Sequence, residues 1–350
     1  MVYLLFVILP IFQDITMTQS RSFFPVVHSV LDPAALLHEL TNCYDIGSPL
    51  ECTLLRSWIN EVYSLQTSGG QFILKVFRRD WRSPDEIAYE VELMHHLSRC
   101  GILVLPPVSA RDGSSIQLLS APEGQRPAVL YPMLLGQPPV PPSEAIYHHV
   151  GQAIGQMHRA LDSFVPTHPR RTLDVHYLAE QPLSWLQPHF RNHQADWTFL
   201  VALVERIRMQ LDMLGQTGQL SWGAIHGDAT LDNLLLRDDQ QLGIYDFDQS
   251  GSGWRAYELQ GVFAYAWEIE RAGFWTALVD GYTSVQLLSE IDRAAMPCFV
   301  VLNRLWCMGF EAHVIAQNSG QWIVSRSYFD ERLAGLRAWA AGHSELSIDR

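Results

Sequence analysis

The sequence predicts an α+β fold of two lobes, in which a small antiparallel sheet with one helix precedes a larger, mainly helical part. Two observations predict this fold. Short apolar runs separated by turns fill residues 50–80, whereas long amphipathic stretches with helical spacing appear after a proline-rich segment at residues 136–142. The chain has 350 residues, 48% of them apolar, so it can bury a sizeable core.

The first lobe is predicted from residue 21 to residue 132. Its strand-like runs are apolar and bounded by turn residues; they lie at residues 52–55, 61–65, 72–77, 103–108, 115–119 and 129–131. A Ser68-Gly69-Gly70 turn joins the second and third runs into a hairpin. A helix is predicted over residues 84–98, because apolar residues recur there at helical spacing after a proline.

The second lobe is predicted from residue 133 to residue 350. Its helices are expected in four amphipathic stretches, at residues 144–162, 195–214, 256–292 and 295–316. The only strand-like breaks are residues 233–236 and 242–245, which a polar turn joins into a short hairpin. This hairpin interrupts the helices where the conspicuous polar residues cluster.

Composition and charge exclude several classes of function. The net charge is -13 and basic residues form no run, so nucleic acid is not an expected partner. Five cysteines without a CxxC pair predict reduced thiols, and we expect a cytoplasmic protein. Residues 1–12 are apolar but too short to span a bilayer, and no other segment is long enough, so no stable membrane association is expected. Residues 1–20 are interpreted as a dispensable or disordered tail.

One polar pattern in the second lobe is specific enough to indicate chemistry. His226-Gly227-Asp228 precedes Asn233, and an apolar strand, a turn and a second apolar strand then end in Asp246. Asp and Asn are common in turns, but this complete spacing favours catalysis over a simple turn. Phosphoryl transfer needs a carboxylate that accepts the proton of the acceptor hydroxyl, together with oxygen ligands for magnesium. Asp228, Asn233 and Asp246 supply these groups.

With these motifs, residues 45–320 resemble the aminoglycoside phosphotransferase family, a branch of the protein-kinase-like fold that includes choline kinases, type II homoserine kinases and bacterial stress response kinases. The resemblance implies that the cofactors are ATP and Mg²⁺. It also implies that Asp228 is the catalytic base, that Asn233 and Asp246 bind magnesium, and that His226 braces the catalytic loop.

The first lobe supplies an independent pair of residues. A kinase-like nucleotide site needs a strand lysine that reaches the phosphates and a helix carboxylate that holds it. Lys75 lies in an apolar strand, and Glu90 falls within the apolar stripe of the following helix. A carboxylate on a buried face needs a cationic partner, so Lys75 and Glu90 are predicted to pair. Glu86, at the edge of the stripe, is the alternative partner.

The resemblance also implies contacts with the rest of the nucleotide. No GxGxxG sequence precedes Lys75, and Ser57 and Asn60 occupy the place where stress response kinases approach the phosphates. Tyr131 and Met133 match the hinge whose backbone meets adenine, although the adjacent proline would also suit a plain linker.

Two further acidic residues lie near the motif. Asp248 follows Asp246 by two residues, and it either supports the metal site or caps the next turn. Where the family commonly has an Asp that holds the catalytic loop, this sequence has Glu258, which puts that bracing contact in doubt.

Three functions fit these residues. The preferred one is transfer of the ATP γ-phosphate to a hydroxyl of a small molecule. The alternatives are a protein serine/threonine kinase of the stress response type and a nucleotide-binding pseudokinase, for which the missing glycine loop and Glu258 are the best arguments. Sequence does not choose the acceptor, because acceptor specificity depends on the site and not on the fold.

Overall fold

The first lobe is built around a five-stranded antiparallel sheet. The computed structural model describes residues 24–348, apart from the side chains of 318 and 319, so the predicted tail at residues 1–20 lies outside the described residues. The strands are β1 Pro49–Ser57, β2 Glu61–Thr67, β3 Gly70–Val76, β4 Gln117–Ala121 and β5 Gly124–Pro132. They lie in the order β1-β2-β3-β5-β4. The predicted small antiparallel sheet is therefore present.

A helix that was not predicted, α1 (Pro33–Cys43), covers part of this sheet. Its first turn is capped by Asp32, whose side chain accepts a hydrogen bond from the backbone N–H of Ala35 at 2.8 Å. Leu36 and Leu40 are buried in one cluster with β2, where alternate residues face inwards. The helix thus shields one face of the sheet from water.

The predicted helix of the first lobe is α2 (Pro84–Arg99), and a capping box starts it. The backbone N–H of Glu86 donates to the Ser83 hydroxyl at 3.2 Å, and the Ser83 N–H donates to the Glu86 carboxylate at 3.0 Å. Glu90 is buried in the apolar stripe, as predicted. Other buried residues of α2, such as Leu93 and Leu97, join the core of the second lobe, so this helix packs against both lobes.

The predicted strand at residues 103–108 is wrong. The segment is extended, but it belongs to none of the strands in the described chain. It is held by single hydrogen bonds, such as the bond from the Val108 N–H to the Leu130 carbonyl at 2.8 Å. Pro106 and Pro107 have no N–H to donate, so a continuous ladder cannot form here.

The second lobe is mainly helical, as predicted. Its α-helices are α3 Glu144–Leu161, α4 Gln181–Leu186, α5 Gln194–Thr217, α6 Gln260–Glu268, α7 Ala272–Thr283, α8 Glu290–Ala294, α9 Met296–Phe310, α10 Ala316–Ser319 and α11 Arg326–Gly342. Two π-helical turns, His176–Glu180 and Glu311–Ile315, adjoin α4 and α9. Short 3-10 turns occur at Gln187–Phe190, Leu231–Asn233, Phe247–Gln249, Arg255–Leu259, Gln321–Val324 and Ser344–Leu346. The amphipathic stretch at residues 256–292 is therefore divided among several helices.

The second lobe also contains more strands than predicted. The short hairpin is present as β8 (Leu234–Leu236) and β9 (Leu242–Ile244). A three-stranded sheet was missed; its strands are β6 Thr172–Leu173, β7 Trp222–Ile225 and β10 Gly251–Trp254. These strands have two to four residues each, and β7 and β10 contain glycines, so the pattern that identifies a buried strand is missing. The missed sheet matters because β7 leads directly into the motif predicted to be catalytic.

One helical run in the described chain is long and apolar enough to cross a membrane, namely Met296–Ile315. The sequence-based statement that no segment other than residues 1–12, themselves too short, approaches the length needed to span a bilayer is therefore wrong. Within the protein, 67% of the most apolar 18-residue stretch of this run is buried. Residues such as Phe299 and Leu302 lie in the main cluster of the second lobe, so the run forms part of its core.

Candidate active site

The motif predicted to be catalytic, His226-Gly227-Asp228, lies in a loop between β7 and β8, called here the catalytic loop, and a glycine shapes that loop. Gly227 has a φ of +84°, a conformation that L side chains rarely adopt. A Cβ atom at this position would also overlap the carbonyl oxygen of Gln249. Both the backbone conformation and the close approach therefore require glycine between His226 and Asp228.

Asp228 lies in this loop, and its exposed side chain lines a cavity of about 400 Å³. The side-chain amide nitrogen of Asn233 donates to the Asp228 carboxylate at 2.9 Å and to its carbonyl oxygen at 2.8 Å. Desolvation by the surrounding protein raises the pKa of Asp228 to about 6; repulsion from Asp246 adds to the increase, whereas His226 and Asn233 oppose it. The group is thus ionised at neutral pH and more basic than an ordinary aspartate.

His226 is fully buried behind the loop, and both of its ring nitrogens contact backbone groups. The Asp228 N–H donates to Nδ1 at 3.2 Å, and Nε2 lies 3.0 Å from the carbonyl oxygen of Tyr245. These bonds assign the proton to Nε2. The imidazole therefore connects the catalytic loop to the end of β9, as expected for a bracing residue.

Glu258 makes the contact that the sequence left in doubt. Its buried carboxylate accepts hydrogen bonds from the backbone N–H groups of His226 at 3.1 Å and Gly227 at 2.6 Å. The residue lies in the 3-10 turn that follows β10. A glutamate therefore holds the catalytic loop at the position where the family commonly has an aspartate, which removes one argument for a pseudokinase.

Asp246 follows β9 and has an unusual backbone conformation, with a φ of +61°. Non-glycine residues rarely adopt this conformation, although Asp tolerates it better than most. The carboxylate contacts Lys75 Nζ at 3.2 Å through Oδ1 and Arg56 Nη2 at 3.0 Å through Oδ2. Burial and the nearby Asp248 favour the neutral acid, but Lys75 and Arg56 outweigh them, so the pKa of Asp246 is lowered. The contact with Arg56 was not predicted.

Lys75 and Glu90 form the predicted pair in the first lobe. Nζ of Lys75 lies 3.1 Å from Oε1 of Glu90, and both side chains are buried. Burial would lower the pKa of Lys75, but the carboxylates of Glu90, Asp246 and Asp248 raise it above its ordinary value. The Tyr131 hydroxyl also donates to Glu90 at 3.3 Å. The alternative partner, Glu86, instead caps α2 and contacts Arg171.

Asp248 is buried between the lobes and is surrounded by donors. Its carboxylate contacts Arg82 Nη2 at 2.7 Å, the indole nitrogen of Trp81 at 3.1 Å and the amide nitrogen of Asn60 at 3.3 Å. Lys75 is also nearby, with Nζ at 3.5 Å. Burial would raise the pKa of Asp248, but Arg82, Lys75 and Arg170 lower it well below its usual range. Asp248 therefore ties the two lobes together.

The two residues predicted near the phosphates occupy different environments. Asn60 is buried; besides its bond to Asp248, its side-chain oxygen accepts a hydrogen bond from the Arg78 N–H at 3.1 Å. Ser57 is exposed at the end of β1. Its neighbours Arg56 and Trp58 line the cavity that contains Asp228.

Two adjoining cavities meet at Lys75 and Asp246. A cavity of about 410 Å³ lies between the lobes, and Tyr131 and Met133 are among its mostly apolar lining residues. The backbone N–H of Met133 donates to the Gln71 carbonyl at 3.0 Å and is therefore already used by the sheet. A second cavity, of about 400 Å³, contains Lys75, Asp246, Asp228 and Asn233. The structure thus brings together the residues predicted for catalysis, magnesium binding and nucleotide binding, except Ser57, which lines neither cavity.

The far end of the second cavity, beyond Asp228, is formed by helical segments. Each of the two π-helical turns supplies lining residues, Tyr177 from the first and Glu311 from the second. Trp306 also lines this end, and its indole nitrogen is buried and has no hydrogen-bond partner among the described residues. Asn303 completes the polar lining, and its amide nitrogen donates to the Tyr257 hydroxyl at 3.1 Å. π-Helical turns often occur at functional sites.

Known proteins resemble this chain in sequence and in fold. Residues 51–296 match the model of the phosphotransferase enzyme family. An uncharacterized protein from Deinococcus radiodurans is 33% identical over 342 residues, which cover 95% of this chain and 96% of that protein. A homoserine kinase from Granulibacter bethesdensis is 28% identical over 263 residues, or 73% of this chain and 78% of the kinase.

A solved structure shares the fold. The microcompartment-associated aminopropanol kinase superposes with a TM-score of 0.73 at 22% sequence identity, and the match covers 90% of this chain and 99% of that kinase. The predicted two-lobed, protein-kinase-like α+β fold is therefore confirmed.

Proposed function

Because the chain belongs to the phosphotransferase enzyme family and is a phosphotransferase acting on hydroxyl groups, we propose that it transfers the γ-phosphate of ATP to a small molecule. The observation that carries this proposal is that Asp228, Asn233, Asp246 and Lys75 line one cavity. This cavity adjoins the apolar cavity between the lobes. A nucleotide with its base in the apolar cavity would therefore direct its phosphates towards Lys75 and Asp228.

Asp228 is proposed to act as the base. Its carboxylate is open to the cavity, and Asn233 orients it through the hydrogen bond to one oxygen. The other oxygen can accept the proton of an acceptor hydroxyl while that hydroxyl oxygen bonds to the γ-phosphorus of ATP, the bond from this phosphorus to the bridging oxygen breaks, and ADP leaves. A pKa of about 6 keeps the group ionised at neutral pH while making it a stronger base than an ordinary aspartate.

Asn233 and Asp246 are the proposed magnesium ligands, and their chemistry fits that ion. Both offer oxygen donors, which magnesium prefers. The Asn233 amide nitrogen is already bonded to Asp228, so its oxygen is the atom left for a metal. The lowered pKa of Asp246 keeps it ionised. When bound, magnesium would neutralise phosphate charge, a task that Lys75 and Arg56 share from the first lobe.

The rest of the nucleotide site is proposed from position. Tyr131 and Met133 line the apolar cavity where adenine would lie. Because the Met133 N–H already donates to the Gln71 carbonyl, the carbonyl group of Met133 is the better candidate for contact with adenine. Ser57 remains a candidate for the phosphates. Asn60 is better suited to holding the chain near β1 against Asp248, since both ends of its amide are already bonded.

The acceptor is proposed to be a small amino alcohol or hydroxy amino acid. Homoserine and aminopropanol, the substrates named for two similar kinases, each carry a hydroxyl and an amino group. Glu311 and Asp232 line the cavity near Asp228 and could attract an ammonium group. The indole N–H of Trp306, which has no hydrogen-bond partner in the part of the chain that the structure describes, could donate to a polar group of the acceptor.

An acceptor screen tests this proposal. The protein is incubated with γ-labelled ATP, magnesium and single amino alcohols, hydroxy amino acids or neutral sugars, and with a protein extract in a separate sample. We expect label in the low-molecular-weight fraction with an amino-group acceptor. Label that enters only protein would instead support the serine/threonine kinase alternative, and label transferred only to neutral sugars would contradict the proposed acceptor class.

A further inference from the structure

Arg56, a residue that was not predicted from the sequence, lies where the two cavities of the site meet. Together with Val62, Lys75 and Asp246, it lines both the apolar cavity between the lobes and the cavity that contains Asp228. We propose that Arg56 competes with a divalent cation for the Asp246 carboxylate and that the phosphates of a nucleotide draw it away. This inference rests on the proposed function, because it takes Asp246 as a metal ligand and ATP as the nucleotide.

A β-bulge in β1 determines the position of Arg56. Leu54 lies opposite Tyr63 of β2 and Arg56 lies opposite Val62, so Leu55 is an extra residue in the pairing. Without the extra residue, Leu55 would lie opposite Val62, and Arg56 would belong to the next row, whose side chains point to the other face of the sheet. Bulges often occur beside active sites, where they redirect a side chain.

The bulge brings Arg56 into register with Lys75. Val62 lies opposite Lys75 in the pairing of β2 with β3, so Arg56, Val62 and Lys75 form one row across three strands. Residues directly opposite each other share a face of the sheet. Both cations accordingly reach the same carboxylate: Nη2 of Arg56 lies 3.0 Å from Oδ2 of Asp246, and Nζ of Lys75 lies 3.2 Å from Oδ1. Each oxygen of the proposed metal ligand therefore contacts a cationic side chain.

The two cations are held with different firmness. The Lys75 side chain is buried and also contacts Glu90 at 3.1 Å and Asp248 at 3.5 Å. The Arg56 side chain is 56% exposed, and Asp246 is its only ion-pair or hydrogen-bond partner among the described residues. Exposed ion pairs contribute little free energy. Arg56 can therefore exchange its partner at low cost, whereas Lys75 would lose two further contacts.

An exchange of partners by Arg56 would couple the binding of metal to the binding of nucleotide. A guanidinium group and a divalent cation on one carboxylate repel each other, so Arg56 must leave Asp246 when a metal binds there. The phosphates of ATP offer a suitable new partner, because the planar guanidinium group matches two phosphate oxygens. Arg56 would then stay paired, and the Oδ2 atom of Asp246 would be released. Binding of nucleotide would thereby raise the affinity for metal.

Binding of Mn²⁺ and of ATP, each measured without the other, tests the inference. Mn²⁺ takes the same oxygen ligands as magnesium, and EPR spectroscopy follows its binding to the full chain. Binding of ATP is measured by calorimetry in the presence of a chelator. The test variant is Arg56→Gln, and the matched control is Arg191→Gln, which removes the same charge from an exposed position.

We expect Arg56→Gln to bind Mn²⁺ about tenfold more tightly than the wild type and to bind ATP about tenfold more weakly, while the control matches the wild type in both. A residue that only stabilises the fold would not change the two affinities in opposite directions. Unchanged or weaker binding of Mn²⁺ by Arg56→Gln, or unchanged binding of ATP, would overturn the inference.

Two further variants separate this inference from the proposed function. Asp246→Asn should bind Mn²⁺ more weakly than the wild type, and Lys75→Met should bind ATP more weakly. If both variants behave in this way while Arg56→Gln binds Mn²⁺ and ATP like the wild type, only the role of Arg56 is wrong. If neither variant changes binding, the assignment of the site and the role of Arg56 are both wrong.

Discussion

The Glu258 carboxylate accepts a hydrogen bond from the backbone N–H of Gly227 at 2.6 Å. The same carboxylate accepts the N–H of His226, so one buried charge fixes two consecutive residues of the catalytic loop. Asp228 is the next residue along the chain. The orientation of the proposed base therefore depends on a side chain that does not touch the reacting atoms.

Replacement of Glu258 by Gln should lower kcat while changing the KM for ATP little. Glutamine offers one carbonyl oxygen, so one of the two backbone N–H groups loses its charged acceptor. Loss of one such bond corresponds to about 10- to 100-fold in rate. Steady-state kinetics measure the separation of kcat from KM. Glu290→Gln, at a side chain that is 93% exposed, is the control, and wild-type kcat in Glu258→Gln would contradict the positioning role.

The activity should depend on pH through Asp228. Since the pKa of this group is raised to about 6 and the base must be ionised, kcat/KM should be constant near pH 8 and fall about tenfold per unit well below pH 6. The free energy of unfolding should depend on pH in the opposite direction from the activity. A carboxyl group whose pKa is raised in the folded state favours that state only at low pH.

Asp228→Asn should therefore have a higher melting temperature than the wild type at pH 8, and the difference should shrink as the pH falls from about 6 towards 4. A pH profile of kcat/KM with no fall near pH 6, together with no stabilisation by Asp228→Asn, would contradict the shifted pKa.

Lys75 is the only lysine in the sequence, which permits a direct measurement of its pKa. A sample labelled with ¹³C-lysine should show one side-chain Cε signal by NMR. Because three carboxylates raise the pKa of Lys75, this signal should begin to titrate only above the ordinary range of lysine. Addition of ATP and magnesium should shift it. A signal that titrates near pH 10 and does not shift when the nucleotide is added would contradict the proposed phosphate contact.

Replacement of Asp248 by Asn should destabilise the protein, because it leaves Arg82 buried beside a neutral amide. Breaking a buried ion pair costs about 3–5 kcal/mol. The lowered pKa of Asp248 means that its stabilising contribution is present above pH 4 and disappears as the pH falls further. Urea unfolding at pH 7 and at low pH measures both effects. Asp239→Asn, at an exposed turn, is the control; equal stability of the two variants at pH 7 would contradict the structural role.

Gly227→Ala should destabilise the catalytic loop, because its φ is +84° and the added methyl group would overlap the Gln249 carbonyl. The expected cost is about 1–3 kcal/mol, with a loss of turnover. Gly215→Ala is a matched control, since Gly215 lies in α5 with open space around it. This control should be neutral or stabilising. Thermal unfolding and turnover of both variants measure the difference, and equal behaviour would contradict the requirement for glycine.

The sequence predicted those parts of the site that depend on strong local patterns. Glu90 was found because a carboxylate within an apolar helical stripe needs a cation, and the structure places Lys75 at 3.1 Å. Asp228, Asn233 and Asp246 were found because their spacing is specific. That Lys75 is the sole lysine was an additional signal in the sequence that composition alone could have revealed.

The remaining contacts depend on tertiary structure. Arg56 reaches Asp246 across 190 positions of sequence, and no local pattern marks that pairing. Asn60 and Asp248 meet across the two lobes in the same way. The sheet that carries the catalytic loop has short strands, and one of them, β10, contains Gly251 and Gly253, where neighbouring backbone and side chains leave no room for a Cβ. Propensity therefore gave no indication of it.

Transfer of labelled phosphate by the wild type and by Asp228→Asn tests the central claim most directly. Both proteins are mixed with γ-labelled ATP, magnesium and the best acceptor from the screen, and ATP affinity is measured on the same samples. The proposed mechanism predicts phosphorylated small molecule from the wild type, about 100- to 10,000-fold slower transfer by Asp228→Asn, and similar ATP affinity for both. Transfer by Asp228→Asn at the wild-type rate would contradict it.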